Sequence, residues 1–306
     1  MPKITAEQVR VPADVPAVAR EVYIENFMKA TRGTGRLMLF ACDQKIEHLN
    51  DDFYGEGIAE DDASPVHMFE IGSKGRIGIL AGQRGLIAHY AADYPDINYL
   101  VKMNSKTHLV HTSQEDPYSP QLYSLDNVLD LIDNGVNVVG IGYTIYLGSE
   151  HEAQMMIEAA QLIADAHSVG LLVVLWIYPR GKAVTDEKDP HLIAGAAGVA
   201  CCLGSDFVKV NPPKSTEAAA SAVLLNEATK AAGRTGLVCA GGSTVDAEIF
   251  LNQLWEQIHI GGAVGNATGR NLHQRPLQEA IRLTEAISAI TMDDAGLMDA
   301  VAIFKG

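Results

Sequence analysis

The sequence predicts an α/β fold, a closed (β/α)8 TIM barrel, on three observations. Eight short apolar, β-rich runs recur along the chain, each closed by Gly, Pro, Asn or a polar cluster. Most of the segments between them carry apolar residues at three- and four-residue spacing, the mark of helices. The runs are apolar almost throughout, as in the LLVVLWIY of residues 171–178, which suits parallel strands buried on both faces. Eight such units fit a closed barrel better than an open doubly wound sheet, which stands as the alternative. No G-x-G-x-x-G opens a helix after the first run, and no G-x-x-x-x-G-K-[ST] is present.

The elements follow in order. Residues 1–35 read as an N-terminal helical extension, with a helix over 17–31 placed to close the barrel bottom. The strands are expected at 37–42, 77–81, 99–103, 136–142, 171–178, 207–210, 237–240 and 258–262. The acidic stretch 50–62 reads as a long loop after the first strand. The clearest helices are 154–167 and 217–232, where Ala, Leu and Ile recur at helical spacing. Residues 292–306 form a C-terminal tail helix or docking segment. No composition break marks a second domain, so residues 1–306 are expected to form one barrel domain, the barrel itself spanning about 36–285.

Composition bounds the function. The 306 residues are 47% hydrophobic and 20% charged, a globular balance. A chain of this length buries roughly 75% of its unfolded surface, so its core needs no staples. Aromatics are only 6%, and Lys+Arg 23 against Asp+Glu 38 leaves a net charge of −15. A field of that sign repels phosphate backbones and anionic lipid, so nucleic-acid and membrane partners are not expected. An anionic substrate would need a local basic pocket. No apolar run reaches about 18 residues, and the N-terminus has no apolar leader, which points to a cytoplasmic protein. Cys42, Cys201, Cys202 and Cys239 sit in apolar runs and read as small buried hydrophobes in a reducing compartment.

In such a barrel the active site lies at the carboxyl ends of the strands, so polar residues late in an apolar strand carry the information. Strand alternation puts Val174, Trp176, Tyr178 and Arg180 on one face, and likewise Phe207, Lys209 and Asn211. Leu100, Lys102 and Asn104 form a third set; Leu39, Ala41 and Asp43 a fourth. Inward-pointing faces would gather Asp43, Lys102, Trp176, Tyr178, Arg180 and Lys209 at the mouth.

Lys209 stands among buried β-formers, where lysine is rarely found without reason. One reading is an ion pair with an acid across the barrel. The other is a Schiff-base nucleophile, a desolvated amine beside a second cation that loses its proton and attacks a carbonyl. Lowering its pKa from about 10.4 to about 7–8 corresponds to roughly 4 kcal/mol of disfavoured charge. Lys102 nearby would contribute to that, although alone it reads as a core lysine or a phosphate contact. Tyr178 is the candidate proton carrier and Trp176 an apolar wall; W-x-Y also suits core aromatics. Asp43 is placed to orient a substrate hydroxyl or, equally, to cap a helix; Lys45, Glu47 and His48 follow it.

Gly241, Gly242 and Ser243 end the seventh strand, and a second glycine-rich run, including Gly261, Gly262, Gly269 and Arg270, is expected to follow the eighth. Loops at these two positions are the common phosphate site of this barrel, and Arg270 adds a fixed positive charge. No cofactor is implied. His108 and His111 have no carboxylate or cysteine cluster beside them, so no metal is assigned. No G-x-S-x-G supports serine catalysis.

Taken together these motifs resemble the archaeal-type class I fructose-1,6-bisphosphate aldolases, over about residues 36–285. The resemblance rests on Cys42-Asp43-Gln44-Lys45-Ile46-Glu47-His48, Trp176-Ile177-Tyr178-Pro179-Arg180-Gly181, Val208-Lys209-Val210, Ala240-Gly241-Gly242-Ser243 and Gly269-Arg270-Asn271-Leu272-His273-Gln274. It implies a metal-independent lyase of sugar-phosphate metabolism (glycolysis and gluconeogenesis), with Lys209 as Schiff-base lysine, Tyr178 for proton transfer and Asp43 orienting substrate. It further implies Trp176 as a pocket wall, phosphate binding at Gly242, Ser243, Gly269 and Arg270, and a homo-oligomer. Many relatives carry Asp-His-Gly where this chain has Asp43-Gln44-Lys45, and the 50–62 loop is longer than a minimal member needs. Both departures bear on the aldehyde partner. The alternatives are a related transaldolase-like synthase making deoxy-sugar phosphate precursors of aromatic amino acids, and a non-catalytic sugar-phosphate-binding barrel.

Overall fold

The computed structural model describes residues 3–217 and 219–306. Eight parallel strands close on themselves in chain order: β1 (Leu37–Ala41), β2 (Ile79–Gln83), β3 (Tyr99–Lys102), β4 (Val138–Leu147), β5 (Leu172–Pro179), β6 (Phe207–Val210), β7 (Gly236–Ala240) and β8 (Gly265–Thr268). Helix α1 (Arg20–Ala30) precedes the barrel. After β1 come α2 (Gln44–Glu47) and α3 (Val66–Lys74); α4 (Arg84–Tyr90), α5 (Leu125–Asp133), α6 (Glu152–Ser168), α7 (Pro190–Leu203), α8 (Ser221–Ala231) and α9 (Ala247–His259) follow β2 to β7 in turn. The chain ends in α10 (Arg270–His273), α11 (Leu277–Asp293) and α12 (Leu297–Lys305). The helix expected over 217–232 starts later, at Ser221, and residue 218 lies outside the described residues.

Strand alternation divides the core in two. Leu37, Leu39 and Ala41 point into the barrel, where Leu100, Val174, Trp176, Phe207, Val238 and Ala267 meet them. Met38, Phe40 and Cys42 point outward into the larger layer under the helices. The interior cluster continues downward into Val15, Ala19 and Tyr23, so the N-terminal segment plugs the barrel from below. There the Tyr23 hydroxyl donates to Asp206, whose other carboxylate oxygen accepts from the Val173 amide at 2.7 Å. His167 bridges Asp206 and Asp14, at 3.3 and 2.8 Å.

The eighth strand is displaced from its expected place. Residues 258–262 are the last turn of α9 and the turn after it, because Ile258 continues the helical stripe of Phe250, Leu251 and Leu254. The real β8, Gly-Asn-Ala-Thr, is too polar to register as an apolar run: Asn266 accepts from Thr268 at 2.8 Å and donates to Thr291 of α11 at 2.9 Å. Gly261 and Gly262 therefore sit before β8, at the opposite end from the mouth. Two of the cysteines also differ from expectation: Cys202 is exposed and Cys201 half-buried on α7.

Gly142 on β4 makes room for the interior aromatic. A Cβ there would lie 2.5 Å from Trp176 Cζ3 and 2.7 Å from Leu100 Cδ2. Gly142→Ala is expected to cost about 1–3 kcal/mol by overpacking, measured by urea unfolding; an unchanged midpoint would contradict this packing. A second expectation concerns the bottom network. Burial alone would lower the His167 pKa, but Asp206 and Asp14 outweigh it and raise it to about 9. A folded pKa above the ordinary 6.5 means stabilisation that is complete below pH 6.5 and lost as pH rises through 9. Wild type should lose more stability than His167→Gln across that window; parallel pH profiles would refute the assignment.

Candidate active site

The carboxyl ends of the strands open onto a cleft lined by Asp43, Trp176, Tyr178, Arg180, Lys209 and Arg270 among others. Asp43 begins the turn into α2, but its side chain makes no capping bond. Its Oδ2 instead lies 3.7 Å from Lys102 Nζ, and its Oδ1 has no hydrogen-bond partner. Lys102, wholly buried on β3, donates to Thr144 Oγ1 of β4 and rests 4.1 Å from the Trp176 ring centroid. Lys209 of β6 approaches the same indole at 5.3 Å, as the pairing of Trp176 with Lys209 in the β5–β6 register requires.

These two lysines differ. Lys102 has an acid and a hydroxyl for partners; the Lys209 amine makes no hydrogen bond or ion pair with any described residue, although the side chain is only 4% exposed. Burial pushes its pKa down, and the like charges of Lys102 and Arg270 add to this against the pull of Asp43 and Glu47. The structural ion pair that the sequence left open for Lys209 is the arrangement found at Lys102.

Tyr178 of β5 and Tyr146 of β4 flank the opening, ring centroids 6.4 Å apart, with the Arg180 guanidinium 5.5 and 5.7 Å from them. Arg180 is oriented by a bidentate pair with Glu187 at 2.8 and 2.7 Å. Burial, then the negative charges of Asp43 and Glu47, holds the Tyr178 phenol well above its ordinary pKa despite Arg180. It is therefore protonated at neutral pH.

Gly241, Gly242, Gly269 and Arg270 line the opposite wall. A Cβ on Gly269 would meet Gln44 Nε2 at 2.5 Å and Ala41 O at 2.7 Å, so no side chain fits where the end of β8 crosses α2. Gly241 donates its N–H to Ala267 O at 3.1 Å. Arg270 stands 3.6 Å from Asp52, so the start of the 50–62 stretch contacts a residue of the cleft wall. Of the residues expected here, Lys102 lies behind the cleft wall, and Ser243 falls in the adjoining groove with Lys188 and Asn211.

The cleft also contains Gln44, Glu47, His48, His108 and Tyr146, to which the sequence assigned no role. Tyr146 is the penultimate residue of β4, which runs five residues beyond its expected limit, to Leu147; extending that strand would have shown it by the same late-polar rule. Glu47, His48 and His108 gather within 4.8 Å of one another. His108 therefore meets a carboxylate from the first loop rather than pairing with His111.

A closed barrel with an unpartnered, desolvated lysine at its mouth defines a protein equipped for amine chemistry on carbonyls. The chain belongs to the DeoC/LacD family of aldolases, whose model matches residues 37–275. It is 56% identical over 305 residues, 99% of this chain and 97% of the relative, to the fructose-bisphosphate aldolase/6-deoxy-5-ketofructose 1-phosphate synthase of Methanocaldococcus jannaschii. A solved fructose-bisphosphate aldolase from Slackia heliotrinireducens superimposes at TM-score 0.98 with 69% identity, over 100% of this chain and 96% of that one. An archaeal fructose-1,6-bisphosphate aldolase, solved with its catalytic lysine bound to the carbinolamine intermediate, matches at TM-score 0.74 and 29% identity, over 89% of this chain and 99% of that one.

Removing the Lys102 charge should raise the Lys209 pKa, because it removes a like charge and frees Asp43 to pair. The pH midpoint for modification of Lys209 by an amine-reactive reagent should move upward in Lys102→Met; a midpoint that stays or falls would break the electrostatic account.

Proposed function

We propose that this chain is a class I aldolase that reversibly cleaves fructose 1,6-bisphosphate into dihydroxyacetone phosphate and glyceraldehyde 3-phosphate, with Lys209 as its Schiff-base nucleophile. The observation that carries the reading is the buried amine of Lys209, left without a partner beside Lys102. The names of the relatives at 56% and 69% identity support the same substrate.

In this mechanism neutral Lys209 Nζ attacks C2 of the ketose. Tyr178, a phenol at rest, gives its proton to the carbinolamine hydroxyl, which departs as water and leaves an iminium and a phenolate. The phenolate then takes the C4-hydroxyl proton. The C3–C4 bonding pair flows into the iminium, giving an enamine, and the aldehyde leaves. The same phenol protonates C3, becoming a phenolate again; water then hydrolyses the iminium, the proton this releases returns to the Tyr178 phenolate, and the neutral Lys209 amine and dihydroxyacetone phosphate are set free. Asp43, held by Lys102, orients a substrate hydroxyl, and Trp176 walls the pocket. With the Gly241 N–H already engaged, the amides of Gly242 and Gly269, both of which line the cleft, remain for phosphate, beside the charges of Arg270 and Arg180. Fixing the phosphate holds C2 against the amine, where proximity contributes several kcal/mol.

The reading extends to a cytoplasmic enzyme of glycolysis and gluconeogenesis that acts as a homo-oligomer. Exposed Met298 (77%) and Ile303 on α12 supply apolar contact surface, and no helix among the described residues is long and apolar enough to cross a membrane. The double name of the Methanocaldococcus relative favours a second reading, a synthase that passes the enamine to another aldehyde. Cleavage of fructose 1,6-bisphosphate, measured against transfer to methylglyoxal, separates the two.

Borohydride reduction with dihydroxyacetone phosphate should add mass to the Lys209 peptide, and Lys209→Met should abolish it. Tyr178→Phe should lower kcat by about 10²–10⁴-fold. A wild-type protein that binds the sugar phosphate without forming an adduct would instead be a non-catalytic barrel.

A further inference from the structure

Glu47, His48 and His108 come from two loops that the barrel brings together at the rim of the cleft. Each contributes one potential ligand atom, and the three atoms lie within 4.8 Å of one another. Two further contacts organise them. The His108 amide donates to the Glu47 carbonyl at 2.8 Å, which ties the loop after β3 to the end of α2. His48 Nδ1 is engaged by Asp52 Oδ2, so the ring is held by a carboxylate and its Nε2 is the nitrogen left free. A carboxylate behind an imidazole is the usual support of a metal-binding histidine. The two imidazoles lie with centroids 4.5 Å apart and planes at 38°, both bordering the cleft.

We propose that Glu47, His48 and His108 form a binding site for a late first-row divalent cation of the zinc class. Three protein ligands of N2O type leave a fourth position for water or a substrate oxygen. Imidazole donors favour zinc or cobalt over magnesium and calcium, which require oxygen ligands. The site borders the same cleft as Lys209, and no step of the chemistry proposed at Lys209 passes through the cation.

The test is a titration of chelator-treated, full-length protein with Co2+, followed by its visible d–d absorption, with Zn2+ as competitor. One equivalent should bind, Zn2+ should displace it, and Mg2+ should not. His48→Ala and His108→Ala should each abolish stoichiometric binding, and Glu47→Gln should weaken it. Asp52→Asn should reduce affinity about 10–100-fold, whereas His111→Ala should leave it unchanged. Circular dichroism checks that each variant is folded. Absence of stoichiometric Co2+ binding by wild type, or undiminished binding by folded His108→Ala, overturns the proposal. Neither outcome touches the borohydride adduct at Lys209, which is read separately.

Discussion

A positive charge that has nowhere to rest organises this molecule. Lys209 is carried by β6 to the mouth of a closed cylinder, where it is only 4% exposed and its amine lies 5.3 Å from the Trp176 ring. The acid that would neutralise it, Asp43, lies nearer the fully buried Lys102. Two buried lysines thus compete for one carboxylate; burial pushes the pKa of both down, and Lys209 is the one whose amine has no hydrogen-bond or ion-pair partner among the described residues. An uncharged amine inside a protein is a nucleophile.

The rest of the barrel holds that competition in place. The indole that both amines approach fits only because β4 has a glycine beside it. Thr144 of the same strand takes a hydrogen bond from Lys102 and so fixes which lysine is satisfied. Below, the N-terminal segment fills the cylinder and is joined to β5 and β6 through Asp206. Arg180, Tyr146 and Tyr178 form a second unit over the mouth, stiffened by Glu187. In one cleft burial pushes the Tyr178 phenol up and the Lys209 amine down, opposite shifts with a common leading cause.

The loops after β1, β3, β7 and β8 differ in how firmly they are built. The glycine walls on one side leave backbone amides bare, while the opposite side brings His48, His108, Glu47 and Asp52 together by hydrogen bonds within and between loops. That asymmetry sets a glycine-lined wall bearing Arg270 against one rich in imidazole and carboxylate groups. Asp52 joins the two, through His48 on one side and Arg270 on the other.

Local pattern determined much of this. Near-continuous apolar strands, helical spacing between them and lysines late in two strands are all properties of neighbouring residues, and they located seven strands and the principal cleft residues. The pattern failed at β8, where close strand packing and side-chain hydrogen bonds replace hydrophobicity, so the strand was sought in the last turn of a helix. It also stopped β4 short of Tyr146. Three matters belong to the tertiary structure alone: which lysine keeps the acid, that Ser243 and Lys102 lie outside the cleft lining, and that His108 meets Glu47 and His48. Periodicity reports which face a side chain occupies. Distances between side chains on different strands follow from closure and register, which no short stretch of sequence contains.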